Sequence, residues 1–200
     1  MKVEKRGQPL DKASKALILL HGRGGNAVDM LRLADHFCDE TFYIVAPQAE
    51  NNSWYPYSFM VDDKLNEPWL SASVKTIKQL IDDTAISIPT SNIYLMGFSQ
   101  GACLSLEVSA RFATSYGAVV AFTGGLIGKE LDHSKYHGNF KKTKVFIGTS
   151  DTDPHVPLER SQDSKQLLET LGADVTLKVY PGMSHTVTKE EIEWVQQNIF

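Results

Sequence analysis

Short apolar runs alternate with amphipathic stretches along the chain. The runs at residues 16–20, 42–46, 92–96, 118–122, 144–147 and 175–179 are rich in Val, Ile, Leu, Phe and Ala, and several have almost no polar interruption. Runs of this length and continuity suit strands covered on both faces, as in a parallel sheet. Between them, apolar positions recur at helical spacing. Asn26 stands where a helix N-cap belongs, with Val28, Leu31, Ala34 and Phe37 directed to the core and His36 on the same helix. Val74, Ile77, Leu80 and Ile81 form a second stripe, flanked by Lys75, Lys78, Asp82 and Asp83. A third helix follows Gly101 and a fourth covers roughly 157–171. The last opens on a capping box, Thr188 and Glu191, and carries Ile192, Val195 and Ile199 inward. The alternation predicts an α/β architecture: a mostly parallel central sheet with helices on both faces. Residues 48–68 fit neither period. They form a long, aromatic-rich connection of the kind that is often functional in compact domains.

Composition narrows the classes of function. The 200 residues, 42% of them hydrophobic, suffice for one domain spanning 1–200 with a sizeable core. A formal net charge of −4, with Lys and Arg scattered rather than clustered, speaks against a nucleic-acid partner. The first fifteen residues are polar and charged with no apolar run, so an ordinary secretory signal is not expected, and no run approaches the ~20 apolar residues needed for stable membrane insertion. Cys38 and Cys103 make neither a disulfide framework nor a CxxC pair, so a cytoplasmic location is expected.

The predicted strand at 92–96 runs into Gly97-Phe98-Ser99-Gln100-Gly101, with a predicted helix behind it. So sharp a strand-to-helix turn leaves no room for bulky side chains around the serine, which explains glycine at both ends. The serine is then held above the strand end over a helix N-terminus, whose dipole favours the negative charge that develops in acyl transfer. Ser99 is the candidate nucleophile. Its base should follow the last strand, where Pro181-Gly182-Met183-Ser184-His185-Thr186 supplies His185. An orienting acid should lie in the loop after 144–147, where Asp151 and Asp153 both qualify on spacing alone.

The oxyanion hole needs two backbone N–H groups. Gln100, the residue after the nucleophile, offers one. The glycine-rich loop His21-Gly22-Arg23-Gly24-Gly25-Asn26 offers the other through Arg23. That loop lacks the spacing and lysine of a phosphate-binding loop. His21 is expected to hold it in place. His133 and His137 form an HxxxH with no third ligand evident, and His155 lies too near the candidate acid to serve as its base, so neither a metal nor another cofactor is expected.

Taken together, Leu20-His21-Gly22-Arg23-Gly24, Ala46-Pro47-Gln48, the motif around Ser99, Asp153-Pro154-His155-Val156-Pro157 and Gly182-Met183-Ser184-His185-Thr186 resemble the phospholipase/carboxylesterase family of α/β-hydrolases. That family includes acyl-protein thioesterases and small bacterial carboxylesterases. The resemblance covers the chain from about Ala16 to the C-terminus. It implies an α/β-hydrolase fold with minimal or no cap domain, and a Ser99, Asp153 and His185 triad, because the family's aspartate stands immediately before Pro-x-Val-Pro. It also implies Arg23 and Gln100 as oxyanion donors. Two features depart from the family pattern. Ser184 stands where glycine often precedes the histidine, and the segment around 53–59 and 66–69 differs from that of the thioesterases.

Trp54, Tyr55, Tyr57, Phe59 and Trp69 in that segment are the expected substrate-binding residues, as apolar surfaces with some polar handles. The Arg23 side chain has two openings: an anionic substrate, or a carboxylate such as Glu67. The expected reaction is hydrolysis of a small-molecule ester, thioester or lysophospholipid through an acyl-enzyme. Hydrolysis of small aromatic or cyclic esters is a further possibility, and the competing class is a non-catalytic member of the fold that binds a small ligand. An apolar segment near Trp54, where exposed, would suit a homodimer contact as well as a ligand.

Overall fold

The computed structural model describes residues 2–200. Seven strands form one sheet: β1 (Val3–Gly7), β2 (Lys15–Leu20), β3 (Phe42–Pro47), β4 (Ile93–Phe98), β5 (Ala118–Phe122), β6 (Lys144–Thr149) and β7 (Asp174–Val179). Their order is β1-β3-β2-β4-β5-β6-β7, with β1 antiparallel to β3 and every other pairing parallel. Six of the seven are the apolar runs of the sequence. β1 was not among them, for a physical reason: it is an edge strand of charged, partly exposed residues, with no buried face to impose a pattern.

The helices divide between the two faces. Helices α1 (Ala27–Ala34) and α6 (Lys189–Asn198) pack on one side, where Met30, Leu31, Ala34 and Val195 join Leu17, Leu19, Ile44 and Phe146. The short α2 (Asp63–Asn66) leads into α3 (Trp69–Ala85), which covers the other face with α4 (Gln100–Arg111) and α5 (Leu158–Thr170). There Val74, Ile77 and Ile81 of α3 are buried as their spacing requires, with Leu80 at the margin. Asn26 caps α1 by accepting from the Asp29 N–H at 2.9 Å, and Thr188 with Glu191 forms the capping box of α6.

Two expectations for the first helix are corrected. Leu31 and Ala34 face inward as expected, but Val28 is 45% exposed, because Ala27 and Met30 complete the inner face in its place. The helix also ends at Ala34, so His36 and Phe37 lie in the turn beyond it. Phe37 is still buried, its ring stacked on Phe200 at 5.2 Å. Among the described residues, no helix is long and apolar enough to cross a membrane.

Strand register positions the site. Leu20 lies beside Gly97, Phe98 beside Phe122, Phe122 beside Gly148, and Thr149 beside Val179. The carboxyl ends of β2, β4, β5, β6 and β7 therefore finish together along one edge, where ligands bind in open parallel sheets. The loops beginning at His21, Ser99, Thr123, Ser150 and Tyr180 all leave from that edge.

Candidate active site

Between β4 and α4 the chain reverses within a single residue. Ser99 takes up φ 53° and ψ −118°, a conformation that costs a non-glycine residue about 1–3 kcal/mol and persists only where the surroundings impose it. The flanking glycines show what imposes it. A Cβ on Gly97 would lie 2.3 Å from the Gly101 carbonyl carbon, and one on Gly101 would lie 2.1 Å from the Leu20 carbonyl oxygen. Both obstacles are backbone and cannot swing aside. Gly101→Ala is accordingly expected to destabilise the fold by about 3 kcal/mol or more, read as a lowered denaturation midpoint in urea. A variant as stable as the parent would contradict this packing.

The Ser99 hydroxyl donates to His185 Nε2 at 2.8 Å, and His185 Nδ1 donates to Asp153 Oδ2 at 2.7 Å. The Asp153 side chain is inaccessible to solvent and that of His185 is 19% exposed, so the chain of hydrogen bonds runs from a dry end to an open one. Burial alone would raise the Asp153 carboxyl. It nevertheless ends below the ordinary aspartate value, because His185 and the N–H groups of Val156 and His155 together outweigh burial. Those two N–H groups reach Asp153 Oδ1 at 2.9 and 2.7 Å. Asp151, the alternative acid on spacing, instead accepts from the Gly182 N–H at 2.8 Å and ties the two loops together.

The loop after β2 is held from behind by His21, which is buried. Its Nδ1 donates to the Gly22 carbonyl at 2.7 Å, and its Nε2 accepts from the Ala49 N–H at 3.1 Å. Burial lowers its pKa, which preserves the neutral tautomer that this pair of bonds requires. Gly24 N–H bonds to the Asn52 carbonyl at 2.8 Å, and Gly25 N–H to the Gly22 carbonyl at 3.0 Å. Among the described residues, the backbone N–H of Arg23 has no protein acceptor, and that of Gln100 sits in the unsatisfied first turn of α4. Among the described residues, the Arg23 guanidinium meets neither Glu67 nor any other carboxylate. It donates to Ser53 Oγ at 3.1 Å and to the carbonyls of Pro56 and Tyr57 at 2.7 and 2.6 Å. Glu67 instead accepts from the Ser71 N–H and hydroxyl.

Gln100 does more than supply an N–H. Its side chain accepts from the Trp54 N–H at 2.9 Å and donates to the Tyr55 carbonyl at 2.8 Å. Arg23 and Gln100 thus clamp the 53–57 segment from both sides. The motif gave no hint of this second use of its glutamine.

Ser99 opens into a cavity of about 520 Å³ whose walls include Tyr55, Tyr57, Phe59, Cys103, His155 and Val156. Three of the five expected aromatics are therefore here. Trp54 and Trp69 are not. They line a separate space of about 790 Å³ on the other side of Tyr55 and Pro56. Trp54 is turned away from Ser99 because its indole N–H donates to the His21 carbonyl at 2.8 Å, with the ring against that of His21. Its side chain is buried and offers no surface to a second copy, whereas Trp69 opens α3 and is 56% exposed. Cys103, one turn along α4 from Ser99, was missed although its spacing puts it on the same helix face. Burial pushes its thiol up to about 12, so it contributes apolar wall rather than a nucleophile. His133 and His137 are both exposed, and among the described residues no three His, Cys, Asp or Glu side chains are arranged to hold a metal ion.

Comparison with known proteins finds similarity along nearly the whole chain. The sequence pattern of the phospholipase/carboxylesterase family matches residues 7–199. An acyl-protein thioesterase 1 from Gibberella zeae is 34% identical over 122 residues, 60% of this chain and 51% of that protein. This chain thus spans about half the length of that relative. An acyl-protein thioesterase 1 from Kluyveromyces lactis is 27% identical over 96% of this chain and 92% of its own. Among solved structures, a phospholipase/carboxylesterase from Dyadobacter fermentans superimposes with a TM-score of 0.97 at 46% identity, covering 99% of this chain and 95% of its own.

Proposed function

Because the chain belongs to the phospholipase/carboxylesterase family of α/β-hydrolases, we propose that it is a serine hydrolase that cleaves carboxylic esters or thioesters through an acyl-enzyme. The observation that carries this reading is the unbroken hydrogen-bonded series from Ser99 through His185 to Asp153 at the wall of a partly apolar cavity. Ser99 Oγ attacks the carbonyl carbon while His185 Nε2 takes its proton. The N–H groups of Arg23 and Gln100 receive the negative oxygen. His185 then returns the proton to the departing alcohol or thiol, the carbon–oxygen or carbon–sulfur bond breaks, and the acyl group remains on Ser99. Water, deprotonated by the same imidazole, releases the acid and restores the serine. Asp153 holds the imidazole in the tautomer with the proton on Nδ1 and balances the charge that forms on the ring.

Every step is carried by these side chains, the two backbone N–H groups and water. With Cys38 and Cys103 unpaired, the reading extends to a reducing compartment such as the cytoplasm.

The thioester half of the proposal is favoured by the thioesterase relative from Kluyveromyces lactis, which aligns over most of both chains. The test is a matched series of nitrophenyl esters and acyl thioesters, from acetyl to lauroyl, assayed with the same enzyme preparation. Turnover is expected in at least one series, with saturation and a shared dependence on Ser99. Absence of turnover in both would leave a cavity that binds but does not react, and would contradict the proposal.

A further inference from the structure

The cavity beside Ser99 has a second imidazole that the reaction just described does not use. His155 lines it, exposed, with its ring edge-on to that of His185 at a centroid distance of 4.7 Å and an interplanar angle of 71°. Its backbone is fixed by the bond to Asp153 Oδ1, but among the described residues its ring nitrogens have no protein partner within hydrogen-bonding distance. A polar ring held in place and left unpaired at a cavity wall is available to a ligand.

Where on the ligand it acts follows from the reaction. His185 must hand its proton to the leaving atom, so the leaving group departs on the side of His185. His155 is packed against that ring on the same cavity wall. The apolar residues Phe59, Cys103 and Val156 also line the cavity.

The charge of the lining gives the chemistry. No Asp or Glu is among the residues that line the cavity, whereas Arg23 and His155 both are. The two carboxylates of the His155 loop are otherwise engaged: Asp151 with the Gly182 N–H, and Asp153 enclosed beneath His185. A negative group at the leaving end would meet the unpaired imidazole of His155 and no carboxylate among the lining residues. We propose that the preferred substrate carries an anionic group, a carboxylate or a phosphate, on its alcohol or thiol portion, and that His155 is the residue that recognises it.

This inference rests on the acyl-enzyme reading, and the experiment separates the two. Two butyrate esters are compared: 3-butyryloxybenzoate, whose leaving phenol carries a carboxylate, and its methyl ester, which is neutral. Both give the same butyryl-Ser99, so recognition of the leaving portion affects acylation, and therefore kcat/KM, while a kcat limited by deacylation is common to both.

For the parent protein, the ratio of kcat/KM, anionic over neutral, is expected to exceed the ratio of the two esters' alkaline hydrolysis rates. In His155→Leu that ratio should fall about tenfold or more, the scale of a hydrogen bond to a charged group. In His155→Gln, which keeps an N–H donor, part of it should return. Equal losses for both esters would mean that His155 merely supports His185, and would overturn the proposal, as would a parent ratio no greater than the alkaline one. If the parent hydrolysed neither ester, the acyl-enzyme reading itself would fall, and this inference with it.

Discussion

Alanine in place of Ser99 is expected to lower kcat/KM for a nitrophenyl ester by about four to six orders of magnitude, with the fold intact. The size follows from what is lost. Without Oγ there is no covalent intermediate, and His185 has no proton to accept at the 2.8 Å contact that now joins them. The proposed oxyanion donors, the N–H groups of Arg23 and Gln100, would remain, and with them a small residual acceleration. The same position separates chemistry from stability. Ser99 is held at φ 53°, ψ −118°, so Ser99→Gly should relieve strain and raise stability by about 1–2 kcal/mol while abolishing activity. Activity and a denaturation midpoint measured on parent, alanine and glycine variants would check both halves. A glycine variant less stable than the parent would remove the strain argument, and an active alanine variant would remove the nucleophile.

The second large effect belongs to Asp153. Asparagine there should reduce turnover by about 10⁴-fold, because an amide NH₂ facing His185 Nδ1 favours the ring tautomer that places the proton on Nε2. That nitrogen could then no longer accept from Ser99. Asparagine also removes the charge that would balance a protonated ring. Stability should change with pH in a definite sense. The folded carboxyl lies below the ordinary aspartate value, against the effect of its burial, because His185 and the N–H groups of Val156 and His155 favour the charged form. A carboxyl that binds its proton less tightly when folded stabilises the fold above the unfolded value, near pH 4. That contribution is lost as the pH falls through the lower, folded value. The stability gap between parent and Asp153→Asn should therefore be widest at neutral pH and close in acid. Urea midpoints measured at pH 7 and at pH 3 would test this; a gap that widened in acid would contradict the assignment of the shift.

The inner strands of the sheet were legible because they are largely buried on both faces and carry near-continuous apolar runs. β1 was not, since an exposed edge imposes no such pattern. The strand–turn–helix setting of Ser99 and the loop after β7 could be read because backbone sterics and chain order restrict what can stand there. Spacing alone could not separate Asp151 from Asp153. Two carboxylates in one loop differ only in where the loop turns them, and here one meets Gly182 and the other His185. The aromatic segment was legible as a wall but not side chain by side chain. Trp54 and Tyr55 are neighbours in sequence, yet bonds to His21 and Gln100 turn the indole of Trp54 to the far side. His155 was set aside as a base for sound reasons, but being a poor base says nothing about lining a cavity.

The central claim is that Ser99 is a nucleophile activated by His185, and covalent labelling tests it most directly. A fluorophosphonate probe incubated with the folded protein at neutral pH should form one adduct, which peptide mass spectrometry would locate on Ser99. Labelling should be lost in Ser99→Ala and slowed by several orders of magnitude in His185→Ala. No adduct on the parent protein, or an adduct that persists in Ser99→Ala, would contradict it.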